Sequence, residues 1–111
     1  MYSKQVKMNQ RQERHLLTLG ENIKMARKLR QLTQSELASR ANKGRQVVFN
    51  LEKGIPVKTD SLLDILWALG LEQSLINSIS LENDPVGLTL AKTRQPKSIK
   101  NKLIKDETGE F

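Results

Sequence analysis

Four residues, Thr33-Gln34-Ser35-Glu36, fix the start of a helix before anything else is known about the chain. They make a capping box: the Thr33 hydroxyl accepts from the Glu36 N–H, and the Glu36 carboxylate reaches back to the Thr33 N–H. The helix they open is short, Gln34 to Ala41, with Leu37, Ala38 and Ala41 inward. Asn42-Lys43-Gly44 ends it, because Asn and Gly tolerate the left-handed backbone of a turn. Another short helix runs from Arg45 to about Lys53, with Val48 and Leu51 inward, and Gly54 stops it. Helices of two turns are not stable alone. The chain must bury them against each other and against longer neighbours, so the expected fold is all-α.

Those neighbours have their own periodicity. Leu19, Ile23, Ala26 and Leu29 or Arg30 recur at helical spacing between Leu16 and Gln31. Ile55-Pro56-Val57-Lys58 is an extended connector. Thr59 or Asp60 caps a fourth helix carrying Leu62, Leu63, Ile65, Leu66 and Leu69, and Gly70 stops it. A fifth, from about Glu72 to Ile79, carries Leu75, Ile76 and Ile79. The expectation is a compact five-helix bundle over residues 16–83 behind a flexible N-terminal arm at 1–15 that can turn helical toward its end. Asp84-Pro85 then opens a C-terminal extension at 84–111. A short turn or helix is expected over 86–91, and a basic run, disordered when free, from Lys92. Gly20, Gly44, Gly54 and Gly70 are all read as helix ends.

Composition supports helices and excludes several functions. The aromatic residues are Tyr2, Phe49, Trp67 and Phe111 only, which is thin material for a β-sandwich. The chain has no cysteine, so a disulfide scaffold, a cysteine-ligated zinc site and thiol catalysis are excluded, and a reducing cytoplasm fits. No apolar run reaches the roughly 18 residues of a membrane span, and no apolar stretch follows the N-terminal lysines as in a signal peptide. There is no Gly-rich phosphate loop and no nucleophile–base pair. His15 stands without other ligands near it, which points to a surface histidine and no metal. Asp60 and Asp64 lie one turn apart and read as a cap and a solvated face. Trp67 reads as core or as an interface anchor. No cofactor is expected, and no enzyme.

Charge is unevenly spread. The net charge is +7, from 19 Lys and Arg against 12 Asp and Glu. Residues 1–58 are strongly basic. Residues 59–91 contain no Lys or Arg, and residues 92–105 contain no Asp or Glu. A basic half suits a polyanion, whose phosphates give salt-dependent affinity.

Two short helices joined by a tight turn form a helix-turn-helix, whose second helix enters the major groove. On that helix Arg45, Gln46, Phe49 and Asn50 point outward and are the candidate base readers. Arg, Gln and Asn match the donor and acceptor edges of guanine and adenine, and Phe49 suits a thymine methyl or a sugar. Gln34, Lys43 and Lys53 lie at helix ends or in the turn, where phosphates pass.

At these positions the sequence resembles a known family. Leu19-Gly20-Glu21-Asn22-Ile23, Arg27, Leu32-Thr33-Gln34-Ser35-Glu36-Leu37-Ala38 and Val48-Phe49-Asn50-Leu51-Glu52-Lys53-Gly54 look like the phage-repressor or XRE-type helix-turn-helix, over about residues 19–71. The resemblance implies a five-helix bundle that dimerises on a DNA operator. It also implies an ion pair between Arg27 and Glu52 that ties the first helix to the reading helix. Where the family has Ser or Thr capping the reading helix, this chain has Gly44, at a cost of a few tenths of a kcal/mol.

The layout is also similar to HipB-type antitoxins, whose partners are HipA-type protein kinases. The leading expectation is thus a cytoplasmic, nucleoid-associated repressor, the antitoxin of a toxin–antitoxin operon. It would bind its own operator as a homodimer through Leu71, Leu75, Ile76 and Ile79, and bind a kinase toxin. The alternatives are a phage-type or free-standing regulator, and a helical protein–protein adaptor that docks through its acidic region.

Overall fold

The structure, a computed structural model, describes residues 7–94. Six α-helices and a one-turn 3-10 helix follow one another, and there is no strand among the described residues. They are α1 (Gln10–Leu29), α2 (Gln34–Arg40), α3 (Arg45–Glu52), α4 (Thr59–Leu69) and α5 (Glu72–Ser78), then the 3-10 turn (Leu81–Asn83) and α6 (Pro85–Arg94). Six helices replace the expected five, because Asp84 and Pro85 start a helix of ten residues where a short turn or helix was expected. The chain divides into two compact units, one through Gln73 and one from Ser74.

In the first unit α3 packs between α1 and α2, and α4 closes against α2 and α3. The core is aliphatic: Ile23, Leu37, Val48, Leu51, Ile65 and Leu69 are buried, joined by Leu32 and Leu66. Short α2 and α3 persist because each buries Leu37 or Val48 and Leu51 completely in this core. Trp67 is not core; it is 64% exposed.

Helix ends follow local chemistry. The α1 helix starts at Gln10, so the end of the expected arm is helical, as its reading allowed, and residues 10–15 belong to α1. Asn9 accepts from the Gln12 N–H at 2.8 Å and Gln12 returns the bond to the Asn9 N–H at 3.0 Å. This is the same reciprocal box as at Thr33, where the two bonds are 3.0 and 2.8 Å. Lys58 is the residue before α4 and gives no side-chain cap, so the expected cap at Thr59 or Asp60 is corrected. Asp60 falls instead inside the first turn, where a carboxylate meets the positive helix end. Gly54 and Gly70 take φ of +82° and +80°, the left-handed geometry that stops α3 and α4.

The inward stripe of α1 is Gly20, Ile23 and Arg27, not Leu29 or Arg30, both of which are exposed. Gly20 is therefore not at a helix end. A Cβ there would stand 2.5 Å from the Leu51 carbonyl oxygen and 2.7 Å from that of Glu52. The absent side chain lets α1 touch the backbone of α3.

In the second unit α6 packs on the 3-10 turn. The expected extension at 84–111 thus holds an ordered helix to Arg94. Its remainder, with Lys97, Lys100, Lys102 and Lys105, lies outside the described residues, as does Tyr2.

Candidate nucleic-acid interface

The site is built on α3, and what holds α3 is a polar cluster inside the first unit. Arg27 of α1 and Glu52 of α3 are only 7% and 8% exposed. The Arg27 Nε donates to Glu52 Oε2 at 2.6 Å and a terminal nitrogen donates to Oε1 at 3.0 Å, a two-pronged pair. The other terminal nitrogen donates to the Leu32 carbonyl at 2.8 Å, and the Gln34 amide donates to Glu52 Oε1 at 3.0 Å. One guanidinium thus joins α1, the turn before α2 and the end of α3.

Each nitrogen of the Arg27 guanidinium and each oxygen of the Glu52 carboxylate has a partner, which is the condition for keeping a charge pair out of water. Burial pushes the Glu52 carboxyl up. Hydrogen bonds from Arg27 and Gln34, with the charges of Arg27 and Lys24, outweigh it and hold Glu52 below the usual carboxylate range. The bond to Glu52 raises Arg27 above the ordinary arginine value, against the cost of its own burial.

At the opposite end of α3 the first turn is open. Gly44 precedes it with φ −76°, ψ 154° and no side-chain cap, and nothing lies within 4 Å of where its Cβ would be. Arg45 and Gln46 are exposed in that turn. The Gln46 amide donates to Asn50 Oδ1 at 2.8 Å, so the two amides share one face, one helical turn apart. Asn50 is half-buried beside an open cleft of about 640 Å³ walled by Val47, Pro56, Val57, Lys58 and Ser61.

Phe49 does not point wholly outward. It is half-buried and lines a cleft of about 230 Å³ with Leu17, Glu21, Lys24 and Gln34, and the Lys53 ammonium sits 5.6 Å from its ring centre. That distance is within cation–π range. Arg45, Gln46 and Asn50 therefore stand on or beside one open face of α3, and Phe49 on its flank.

The expected phosphate residues divide. Lys53 is exposed at the C-terminal end of α3. Lys43 in the turn is paired with Asp64 of α4 at 3.1 Å. Gln34 is turned toward Glu52. Neither pairing is legible in the sequence, because Gln34 and Glu52 lie 18 residues apart, and nothing local marks Asp64 as the partner of Lys43. His15 is exposed beside an apolar cleft with Met8, Leu16, Leu19 and Pro56. Among the described residues no cluster of His, Asp and Glu could hold a metal ion, and no helix is long and apolar enough to cross a membrane.

Residues 23–72, a little under half the chain, match the family model described as Helix-turn-helix. That segment starts in α1, contains all of α2, α3 and α4 and reaches the first residue of α5. The match supports the XRE-type resemblance and a DNA-binding transcription regulator. No curated protein and no solved structure matches the chain.

Proposed function

We propose that this protein is a sequence-specific repressor that binds a DNA operator as a two-fold dimer, and that it is the antitoxin of a toxin–antitoxin pair whose toxin is a HipA-type kinase. The observation that carries the DNA reading is the open first turn of α3, with Arg45 and Gln46 exposed ahead of Asn50, on a helix whose far end is anchored by Arg27. Reading helices enter the major groove by that end. Base contacts then fall to Arg45, Gln46 and Asn50, with Phe49 against a thymine methyl or sugar on the flank. Lys53 supplies a phosphate contact directly. Lys43 and Gln34 supply theirs only by exchanging Asp64 or Glu52 for a phosphate.

Selection from a pool of random duplexes tests this. A defined motif should emerge, and Gln46→Ala or Asn50→Ala should each cost about 1–3 kcal/mol on it and little on unselected DNA. Lys53→Ala should weaken both alike and reduce the salt slope by about one. If both amide variants keep the parental preference, α3 does not read bases.

What supports the antitoxin role is the charged segment that follows the reading unit, basic from Lys92 to Lys105. Co-expression with the product of the neighbouring gene checks it. A kinase-fold neighbour whose growth arrest this chain relieves is the expected result. An integrase or lysogeny neighbour would assign the chain to a phage-type regulator.

A further inference from the structure

The turn between α2 and α3 fixes the backbone of Lys43 and leaves its ammonium free to change partner. Asn42 takes the left-handed φ of 56°, its N–H donates to the Ser39 carbonyl at 3.1 Å, and the Lys43 N–H donates to the Ala38 carbonyl at 2.8 Å. These bonds close the C-terminal end of α2. Gly44 follows with nothing within 4 Å of where its Cβ would be, and Arg45 and Gln46 are exposed beyond it. The Lys43 ammonium rides on four flexible carbons beside this open turn. It sits 3.1 Å from Asp64, in the middle of α4. The two ion pairs of the reading unit differ in kind. Arg27 and Glu52 are buried, so neither can lose the other without stranding a charge. The side chains of Lys43 and Asp64 are 24% and 51% exposed, so water solvates the carboxylate when the ammonium leaves. Such an exposed pair is favoured by about fivefold at most over its separated state.

We infer that Asp64 is a stand-in for a DNA phosphate: it occupies the Lys43 ammonium in the free protein, yields it to the duplex in the complex, and so holds operator affinity below what the reading face could reach. A carboxylate and a phosphodiester offer an ammonium the same singly charged pair of oxygens. The duplex wins the exchange because it presents one charge per about 1.7 Å of its axis, and a cation that reaches it releases a condensed counterion. Asp64 has no such atmosphere to give back. The α4 helix contains no Lys or Arg, so no cation of its own helix takes over the carboxylate once Lys43 has left. The bare charge then faces a polyanion, which adds to what the exchange costs. This inference rests on the DNA reading proposed above and concerns the regulation of that same face.

Fluorescence anisotropy of the full chain on its selected duplex, over a range of salt concentrations, tests it. Asp64→Asn should bind about three- to fivefold more tightly with the salt slope unchanged, since the same phosphate contact forms without a partner being given up. Lys43→Ala should lower the slope by about one, and adding Asp64→Asn to it should gain almost nothing. Asp60→Asn makes the same charge change one turn away, on a residue with no ion pair among the described residues, and should shift affinity by less than about 1.5-fold at physiological salt. That control separates the pair from the general field. Weaker or unchanged binding by Asp64→Asn overturns the inference, as does a gain that survives Lys43→Ala. So does a slope that rises by about one, because Lys43 would then stay with Asp64 in the parental complex. If a motif is selected and Asp64→Asn is silent, the DNA reading stands and this inference falls alone. If no duplex is bound, both fall.

Discussion

At the residue scale the cluster around Arg27 gives the sharpest expectation. Arg27→Met leaves the Glu52 carboxylate buried without its main partner, and the cost should approach roughly 3 kcal/mol. Glu52→Gln keeps an acceptor for the guanidinium and should cost less. In thermal melts the double variant should cost clearly less than the sum of the singles; an additive cycle would mean that no coupling exists. The pair also carries a pH signature. Since folding depresses the Glu52 carboxyl, its contribution is complete above the unfolded value of about 4.3 and is lost as pH falls through the lower folded one. The stability gap between the parent and Glu52→Gln should thus be flat near neutrality and close below about pH 4. The pair itself came from the resemblance in motif. The Gln34 and Lys43 bonds did not, because only the folded chain brings residues so far apart in sequence within reach.

At the scale of elements, starts and stops were the most readable part of the chain. The box at Thr33, the glycines at 54 and 70 and the open cap at Gly44 are all local chemistry, and each element lies where its local signal puts it. The same signal at Asn9-x-x-Gln12 does not fix the helix start from sequence, because the residues around it are polar and show no apolar period. Asn9→Ala should fray the first turn of α1 and cost about 1 kcal/mol, seen as faster amide exchange over residues 10–13. Gly20 was illegible for another reason. Nothing local distinguishes a glycine that ends a helix from one that lets two helices touch. Alanine is the better helix former by up to about 1 kcal/mol. Yet Gly20→Ala should destabilise by about 1–3 kcal/mol in denaturant melts, because the Cβ meets carbonyl oxygens that cannot swing aside. A gain in stability would show that α1 and α3 part easily.

For the whole molecule, charge and chain order make separate contributions. The basic first half holds the reading unit, and residues 59–91, which lack Lys and Arg, contain α4, α5 and most of α6. The second basic run begins inside α6 and continues past the described residues. Removing residues 95–111 should lower the salt slope of DNA binding by about 0.9 for each lysine that touched a phosphate. An unchanged slope assigns the run to a protein partner. Periodicity undercounts the helices because α6 has apolar residues on several sides. Without a single stripe, periodicity does not announce a helix, and only the Asp-Pro start gives it away.

The charged grip on α3 is at its far end, while Val48, three residues from Arg45, is buried in the core. Gly20 lets α1 press on the backbone at Leu51 and Glu52, and Arg27 holds the Glu52 side chain, while the turn at Arg45, the proposed base-reading end, begins seven residues away. Clamp and tip are about 10 Å apart. An angular play of only about 6° at the clamp displaces its tip by about 1 Å, a third of a hydrogen-bond length. Discrimination between bases depends on that tolerance; attraction to phosphates does not. Loosening the clamp should therefore make this protein an indiscriminate binder before it makes it a weak one.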